Sequence, residues 1–197
     1  PNASAVNAGE YMVSVSLIDG SCTYDNILDT VVILNNPILS PTSVQNVTCF
    51  GFNNGSLNVS SLSGTPAYQY QWSPGGMTNS SITNLSPGSY TVIVTDANTC
   101  KDTAIYTITE PTALQALSSK TSNYNGRDIS CVGANDGSAT VVYSGGTSPY
   151  QVSWSPGGAT TASISNLGPG TYTATITDAN GCVKTSSVTL SNPPAMT

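Results

Sequence analysis

Residues Cys49 to Pro111 align with Cys131 to Pro193 at a constant offset of 82, without a gap, and 32 of the 63 aligned positions are identical. A duplication of that quality means one supersecondary unit used repeatedly, so the forces that fold the first copy must fold the second. The shared skeleton reads C-x-G-x-N-x-G-S, then G-T-x-x-Y-Q-x-W-S-P-G-G, then S-I-x-N-L-x-P-G-x-Y-T, then T-D-A-N-x-C, and closes on a proline. The first 37 residues carry a divergent copy of the last third: AGEYMVSVSLIDGSC parallels PGSYTVIVTDANTC, and Asn36-Pro37 stands where Glu110-Pro111 stands. The organisation expected is the C-terminal part of a preceding repeat over 1–37, one full repeat over 38–111 and a second over 112–197, a window cut from a longer array.

Within a repeat the apolar residues recur with period two. Tyr90, Val92 and Val94 alternate with Thr91, Ile93 and Thr95, and Tyr68, Tyr70 and Trp72 alternate with Gln69 and Gln71, the pattern of half-buried strands. The spacing predicts strands over 55–61, 67–73, 80–84, 89–96 and 104–109, plus a leading strand after the previous proline. Six or seven strands at this size predict an all-β fold, a two-sheet sandwich of the immunoglobulin or fibronectin type, repeated end to end as a semi-rigid rod. Pro87-Gly88-Ser89-Tyr90 and Pro169-Gly170-Thr171-Tyr172 read as corners in which the tyrosine hydroxyl bonds back to the backbone. The turns Asp96-Ala97-Asn98-Thr99 and Asp178-Ala179-Asn180-Gly181 read as short hairpins needing a left-handed residue, which glycine supplies better than threonine. Gly75-Gly76 and Gly157-Gly158 read as hairpin turns, since no helix follows that could present its N-terminus to a phosphate. Ser118 to Ile129, with Asn125-Gly126 inside it, reads as a longer loop.

Charge and composition narrow the function classes. Four basic and ten acidic residues give a net charge of -6, which leaves no basic patch to release counterions from nucleic acid. Histidine is absent, removing the commonest general base and transition-metal ligand, and the carboxylates are scattered. The chain reads as non-enzymatic, with no cofactor. It contains no 18-residue apolar run able to cross a bilayer as a helix. The segment PNASAVNAGEY has neither the charged nor the apolar region of an export signal.

Cysteine spacing repeats as well. Cys49 and Cys100 are 51 positions apart, as are Cys131 and Cys182, so one equivalent pair falls in each full repeat. The expectation is a Cys49–Cys100 bridge, a Cys131–Cys182 bridge and none between repeats, in an oxidising compartment. Buried free thiols are the rival reading; a zinc site lacks ligands. Cys22 occupies the second-cysteine position of the leading partial repeat, so its expected partner lies upstream of Pro1. Two further residue sets carry two readings each. Trp72 and Trp154 suit either the sandwich core or a sugar-stacking platform. Asp96, Asn98, Asp178 and Asn180 suit either turn chemistry or calcium, which wants six or more oxygens.

The C-F-G-x-N-x-G-S start, the G-T-P-x-Y-x-Y-x-W centre and the L-x-P-G-x-Y-T-V-x-V-T-D-x-N-x-C end closely resemble the SprB-type repeat of very large Bacteroidetes surface adhesins. The resemblance covers nearly all of 38–197 and, more weakly, 1–37; Ser148-Pro149 in place of Pro66-Ala67 and the 118–129 insertion are its departures. It implies export by the type IX route, display at the cell surface, and in some members a role as the adhesin moved during gliding. The function expected is a non-catalytic stalk or spacer of a secreted adhesin or filament. Its partners would be neighbouring repeats of the same chain and an external polysaccharide or substratum. A glycan-binding sandwich module is the alternative. Bacteroidetes attach O-glycans at Asp-(Ser/Thr)-apolar tripeptides, so Asp29-Thr30-Val31 and Asp102-Thr103-Ala104 make Thr30 and Thr103 candidate acceptors, whereas Lys184-Thr185-Ser186 should be bare. Outward-facing strand threonines are the plain alternative for both.

Overall fold

The computed structural model describes the backbone of residues 9–13 and 29–33 and the whole of residues 35–194, and among these described residues alternating apolar positions form fourteen strands. The elements are β1 (Gly9–Val13), β2 (Asp29–Ile33), β3 (Leu39–Gln45), β4 (Gly55–Ser61), β5 (Gln69–Ser73), β6 (Ser81–Leu85) and β7 (Gly88–Thr95), then β8 (Lys101–Ile108), β9 (Gln115–Lys120), β10 (Gly137–Ser144), β11 (Gln151–Ser155), β12 (Ser163–Leu167), β13 (Gly170–Thr177) and β14 (Val183–Leu190). Each full repeat contributes six strands to two three-stranded antiparallel sheets: β3-β4-β6 and β5-β7-β8 in the first, β9-β10-β12 and β11-β13-β14 in the second. The protein is all-β and immunoglobulin-like, as the periodicity predicts.

The chain forms two compact units, and these do not follow the sequence repeats. Residues 46–55 and 85–87 belong with 109–197 in the second unit, although they fall inside the first repeat in sequence. β1 and β2 pair with Gly9 opposite Ile33 and Tyr11 opposite Val31, the register in which β7 and β8 set Gly88 opposite Ile108 and Tyr90 opposite Tyr106.

In the first unit Leu57 and Val59 of β4, Trp72 of β5 and the alternate residues Val92 and Val94 of β7 are all buried. In the second, Trp154 sits among Leu114, Val141, Val152, Ile164, Ile176 and Val188. Both tryptophans are 1% exposed, so the core reading holds and neither indole face is open to a sugar. Each ring nitrogen donates to a main-chain carbonyl, Trp72 to Asn79 at 2.9 Å and Trp154 to Thr161 at 3.0 Å, which leaves no indole N–H unpaired in the core. The Tyr172 hydroxyl donates to the Gly168 carbonyl at 3.1 Å, forming the corner expected before β13.

Two local expectations change. The Gly75-Gly76 and Gly157-Gly158 turns are not hairpins, because β5 and β6 lie in different sheets, as do β11 and β12; each turn carries the chain across the sandwich. Residues 118–120 belong to β9 rather than to a loop. The rest of the insertion is tied down by a Tyr124–Arg127 bridge, by the Tyr124 hydroxyl on the Asp136 carbonyl and by a Lys120–Asp128 ion pair at 2.7 Å. The recurrent Asn-Leu of the skeleton also gains a cause: Asn166 (φ 57°) is the extra residue of a β-bulge, since Gly137 pairs Leu167 while Ser138 pairs Ser165. Asparagine tolerates that left-handed backbone better than most residues.

The two hairpins that close the β7–β8 and β13–β14 pairs provide a direct comparison. Thr99 and Gly181 occupy the same left-handed position at φ 66° and 81°. A β-branched residue is strained there, so Thr99→Gly should stabilise the first unit by about 0.5–1 kcal/mol and Gly181→Thr should destabilise the second by a like amount. Urea unfolding of both variants measures the pair; opposite signs are expected.

Candidate functional site: the Cys49–Cys182 junction

The β13–β14 hairpin is organised by one buried carboxylate. Asp178 Oδ1 accepts the main-chain N–H groups of Asn180 and Cys182, each at 2.9 Å, and Oδ2 accepts that of Thr147 at 2.9 Å. Burial alone would raise its pKa, but the N–H groups of Thr147, Cys182, Asn180 and Gly181 together hold it below the usual carboxylate range. Asp96 repeats the arrangement with Thr65, Asn98 and Cys100, and the Thr65 N–H is the largest cause of its lowered pKa. The repeated aspartates are thus accounted for as turn organisers. Asn180 then reaches out from the turn, donating through Nδ2 to Thr147 Oγ1 and to the Thr48 carbonyl, each at 3.0 Å.

That last contact brings in residues 46–55. The segment is anchored by the Val47 N–H on the Thr109 carbonyl at 3.0 Å, the Thr109 N–H on Asn46 Oδ1 at 2.9 Å and the Gly51 N–H on Glu110 Oε2 at 2.6 Å. It folds on itself through Asn54, whose Oδ1 accepts the Thr48 N–H at 3.1 Å. Cys49, 6% exposed, lies against the Asp178 turn and is disulfide-bonded to Cys182, with the Cα atoms 5.7 Å apart and a sequence separation of 133. Phe50 and Phe52, both more than half exposed, line an open groove of about 630 Å3 beside the bridge with Leu114, Val183 and Lys184. A second open groove, of about 480 Å3, lies against the Tyr143–Tyr150 pair, whose ring centroids are 5.1 Å apart.

The expected pairing of Cys49 with Cys100 and of Cys131 with Cys182 is therefore corrected: Cys49 bonds Cys182, and Cys100 and Cys131 are thiols. The reason is strand length. Cys182 immediately precedes β14, while the segment carrying Cys131 is pinned just past its other end, where the Ser191 N–H donates to Asp128 Oδ2 at 2.8 Å. Eight residues of strand separate the two places by roughly 26 Å at about 3.3 Å per residue, far beyond the ~7 Å Cα separation a disulfide can span. Equal spacing within each repeat does not reveal this, because pairing the first cysteine of one repeat with the second cysteine of the next repeats just as regularly. Cys22 and the side chain of Thr30 lie outside the described residues. Thr103 is exposed on β8, its N–H bonded to Asp102 Oδ1 at 2.8 Å, and Thr185 is exposed on β14. Among the described residues no group of three or more His, Cys, Asp or Glu is arranged to hold a metal ion.

The SprB repeat family model matches the chain at two places, residues 42–77 and 123–159, in agreement with the motif resemblance. No curated protein matches the chain. Among solved structures it is similar to a Dscam isoform structure (16% identity, TM-score 0.34) and to the C-terminal 282-residue fragment of intimin in complex with the intimin-binding domain of its translocated receptor (15% identity, TM-score 0.38). Each alignment covers 82% of this chain and, respectively, 47% and 64% of the other, so the chain spans less than two thirds of either. A biofilm-associated protein BSP domain is similar at 17% identity and a TM-score of 0.25, over 83% of this chain and 30% of that one.

A loop of 133 residues closed by one bridge should be held by up to about 5 kcal/mol on the chain-entropy account. Cys49→Ser should lower the unfolding free energy of the second unit by about 3–5 kcal/mol, measured by urea denaturation without reductant. Cys131→Ser in the same chain should leave it nearly unchanged.

Proposed function

We propose that the chain is a non-catalytic stalk or spacer segment of a secreted cell-surface adhesin. The observation that carries this is the tandem SprB repeat whose tryptophans are both enclosed in the sandwich cores. An aromatic that could stack on a sugar is thereby committed to packing, and the repeat's invested apolar surface holds the fold rather than a ligand. On this reading residues 1–37 are the end of a preceding repeat, with repeats over 38–111 and 112–197. The parent protein leaves the cell by the type IX route, is displayed at the surface and takes part in adhesion or gliding there. Function belongs to sites rather than folds, so the adhesive head is sought elsewhere in the parent protein.

A second reading, a glycan-binding module, is favoured by one feature, the exposed Phe50 and Phe52 beside the groove at Cys49–Cys182. Retention of the purified chain on immobilised surface polysaccharides separates the two. A spacer gives no saturable binding; saturable binding abolished by Phe50→Ala or Phe52→Ala would replace the spacer reading with the glycan-binding one.

We also propose O-glycans at Thr30 and Thr103. Exposure of Thr103 on β8 supports its access to a transferase. Mass analysis of native material should find added hexose on the peptides bearing Thr30 and Thr103 and none at Thr185; unmodified peptides at both would end the assignment.

A further inference from the structure

Cys100 and Cys131 are built like bonded cysteines but are unbonded. Cys100 ends the same Asp-organised turn as Cys182: its N–H donates to Asp96 Oδ1 at 2.9 Å and its carbonyl accepts the Asp96 N–H at 3.0 Å, as Cys182 does with Asp178 at 2.9 and 3.0 Å. Both are partly buried. Cys131 sits in the counterpart of the segment that carries Cys49. Its carbonyl accepts the Ala134 N–H at 3.1 Å, matching Phe52 on Cys49 at 3.1 Å. The Ser130 N–H donates to Asp136 Oδ1 at 3.2 Å, matching Thr48 on Asn54 at 3.1 Å. The segment is anchored to the end of β14 by Asp128 and Ser191, as Asn46 and Thr109 anchor the first to the end of β8. One difference remains. Cys49 is buried beneath the turn of the following repeat, whereas Cys131 is exposed.

We propose that the SprB repeats of this protein are joined by staggered disulfides, in which the first cysteine of each repeat bonds the second cysteine of the repeat that follows it. Cys49–Cys182 is one such rung; Cys131 takes the turn cysteine of a following repeat, and Cys100 takes the first cysteine of a preceding one. Each bond forms as two thiols give up two protons and two electrons to a protein or small-molecule disulfide, which is reduced to two thiols. The inference rests on the reading of the chain as a stretch of a repeat array. It is independent of whether any repeat binds a glycan.

The consequence is mechanical. Cys131 lies inside the loop closed by Cys49–Cys182, so successive loops overlap and no repeat can be drawn out alone. Tension along the chain passes from Cys49 through the bridge to Cys182, and the residues between them cannot be unravelled while the bond holds. Two consecutive repeats would then yield only the stretch from a second cysteine to the next first cysteine, 31 positions in this sequence from Cys100 to Cys131, half of what two separately closed repeats would yield.

The test adds a repeat. A chain of residues 1–193 followed by a further copy of 38–111 reproduces the natural Pro-Ile junction; with Cys182 bonded to Cys49 and Cys100→Ser in the original copy, the Cys100 of the added copy is the one unbonded turn cysteine downstream of Cys131. After alkylation and digestion with trypsin and chymotrypsin without reduction, Cys131 should be linked to the Cys100 of the added copy, with Cys49–Cys182 present in the same digest. In a second chain that also carries Cys131→Ser, the added Cys100 should be alkylated instead. Alkylated Cys131 in the first chain, or a link between the two cysteines of the added copy, would overturn the proposal, while retention on polysaccharide would be unaffected in either event.

Discussion

The rise of a β-strand, about 3.3 Å per residue, is the constraint on which the rest of this structure depends. β14 runs eight residues from the turn cysteine Cys182 at one end to the anchored segment that carries Cys131 at the other. A rigid spacer of that length keeps Cys131 and Cys182 apart, and Cys182 bonds Cys49 of the other repeat instead. The bridge in an immunoglobulin-like sandwich often crosses between the sheets and packs on the core tryptophan. Here the tryptophans fill that space alone, with their N–H groups satisfied by main-chain carbonyls, and the disulfide has moved to the end of the strands.

The turn carboxylates make that placement reproducible. Asp96 and Asp178 are each 5% exposed and each collect three main-chain N–H groups, so the turn and the cysteine that ends it are held in one shape in both copies. Because both carboxyls have depressed pKa values, their contribution to stability is complete above the ordinary carboxylate range near pH 4 and is lost as pH falls through their folded values.

Much of this was legible in the sequence. Period-two alternation located the strands to within a few residues, because inward positions such as Leu57, Val92, Val141 and Ile176 must be apolar whatever the neighbours do. The tyrosine at the start of β13 and the Asp-Ala-Asn turns were equally readable, since Tyr172 finds the Gly168 carbonyl four residues back and Asp178 takes N–H groups two and four residues on, whereas its contact with Thr147, 31 residues away, left no local sign. Features that depend on which sheet a strand joins were not readable. The glycine pairs look like hairpin turns until β5 and β6 prove to lie in different sheets. The cysteine connectivity failed for a deeper reason. In a translationally repeated chain, a pairing within the repeat and a pairing shifted by one repeat leave identical spacings, and only three-dimensional distance separates them.

The claim most central to this account is that the covalent unit is displaced from the sequence repeat. It is tested most directly by a disulfide map of the 197-residue chain itself, alkylated and then cleaved without reduction by trypsin and chymotrypsin. The account predicts a Cys49–Cys182 linked peptide with Cys100 and Cys131 alkylated. Linked peptides joining Cys49 to Cys100 and Cys131 to Cys182 would contradict it.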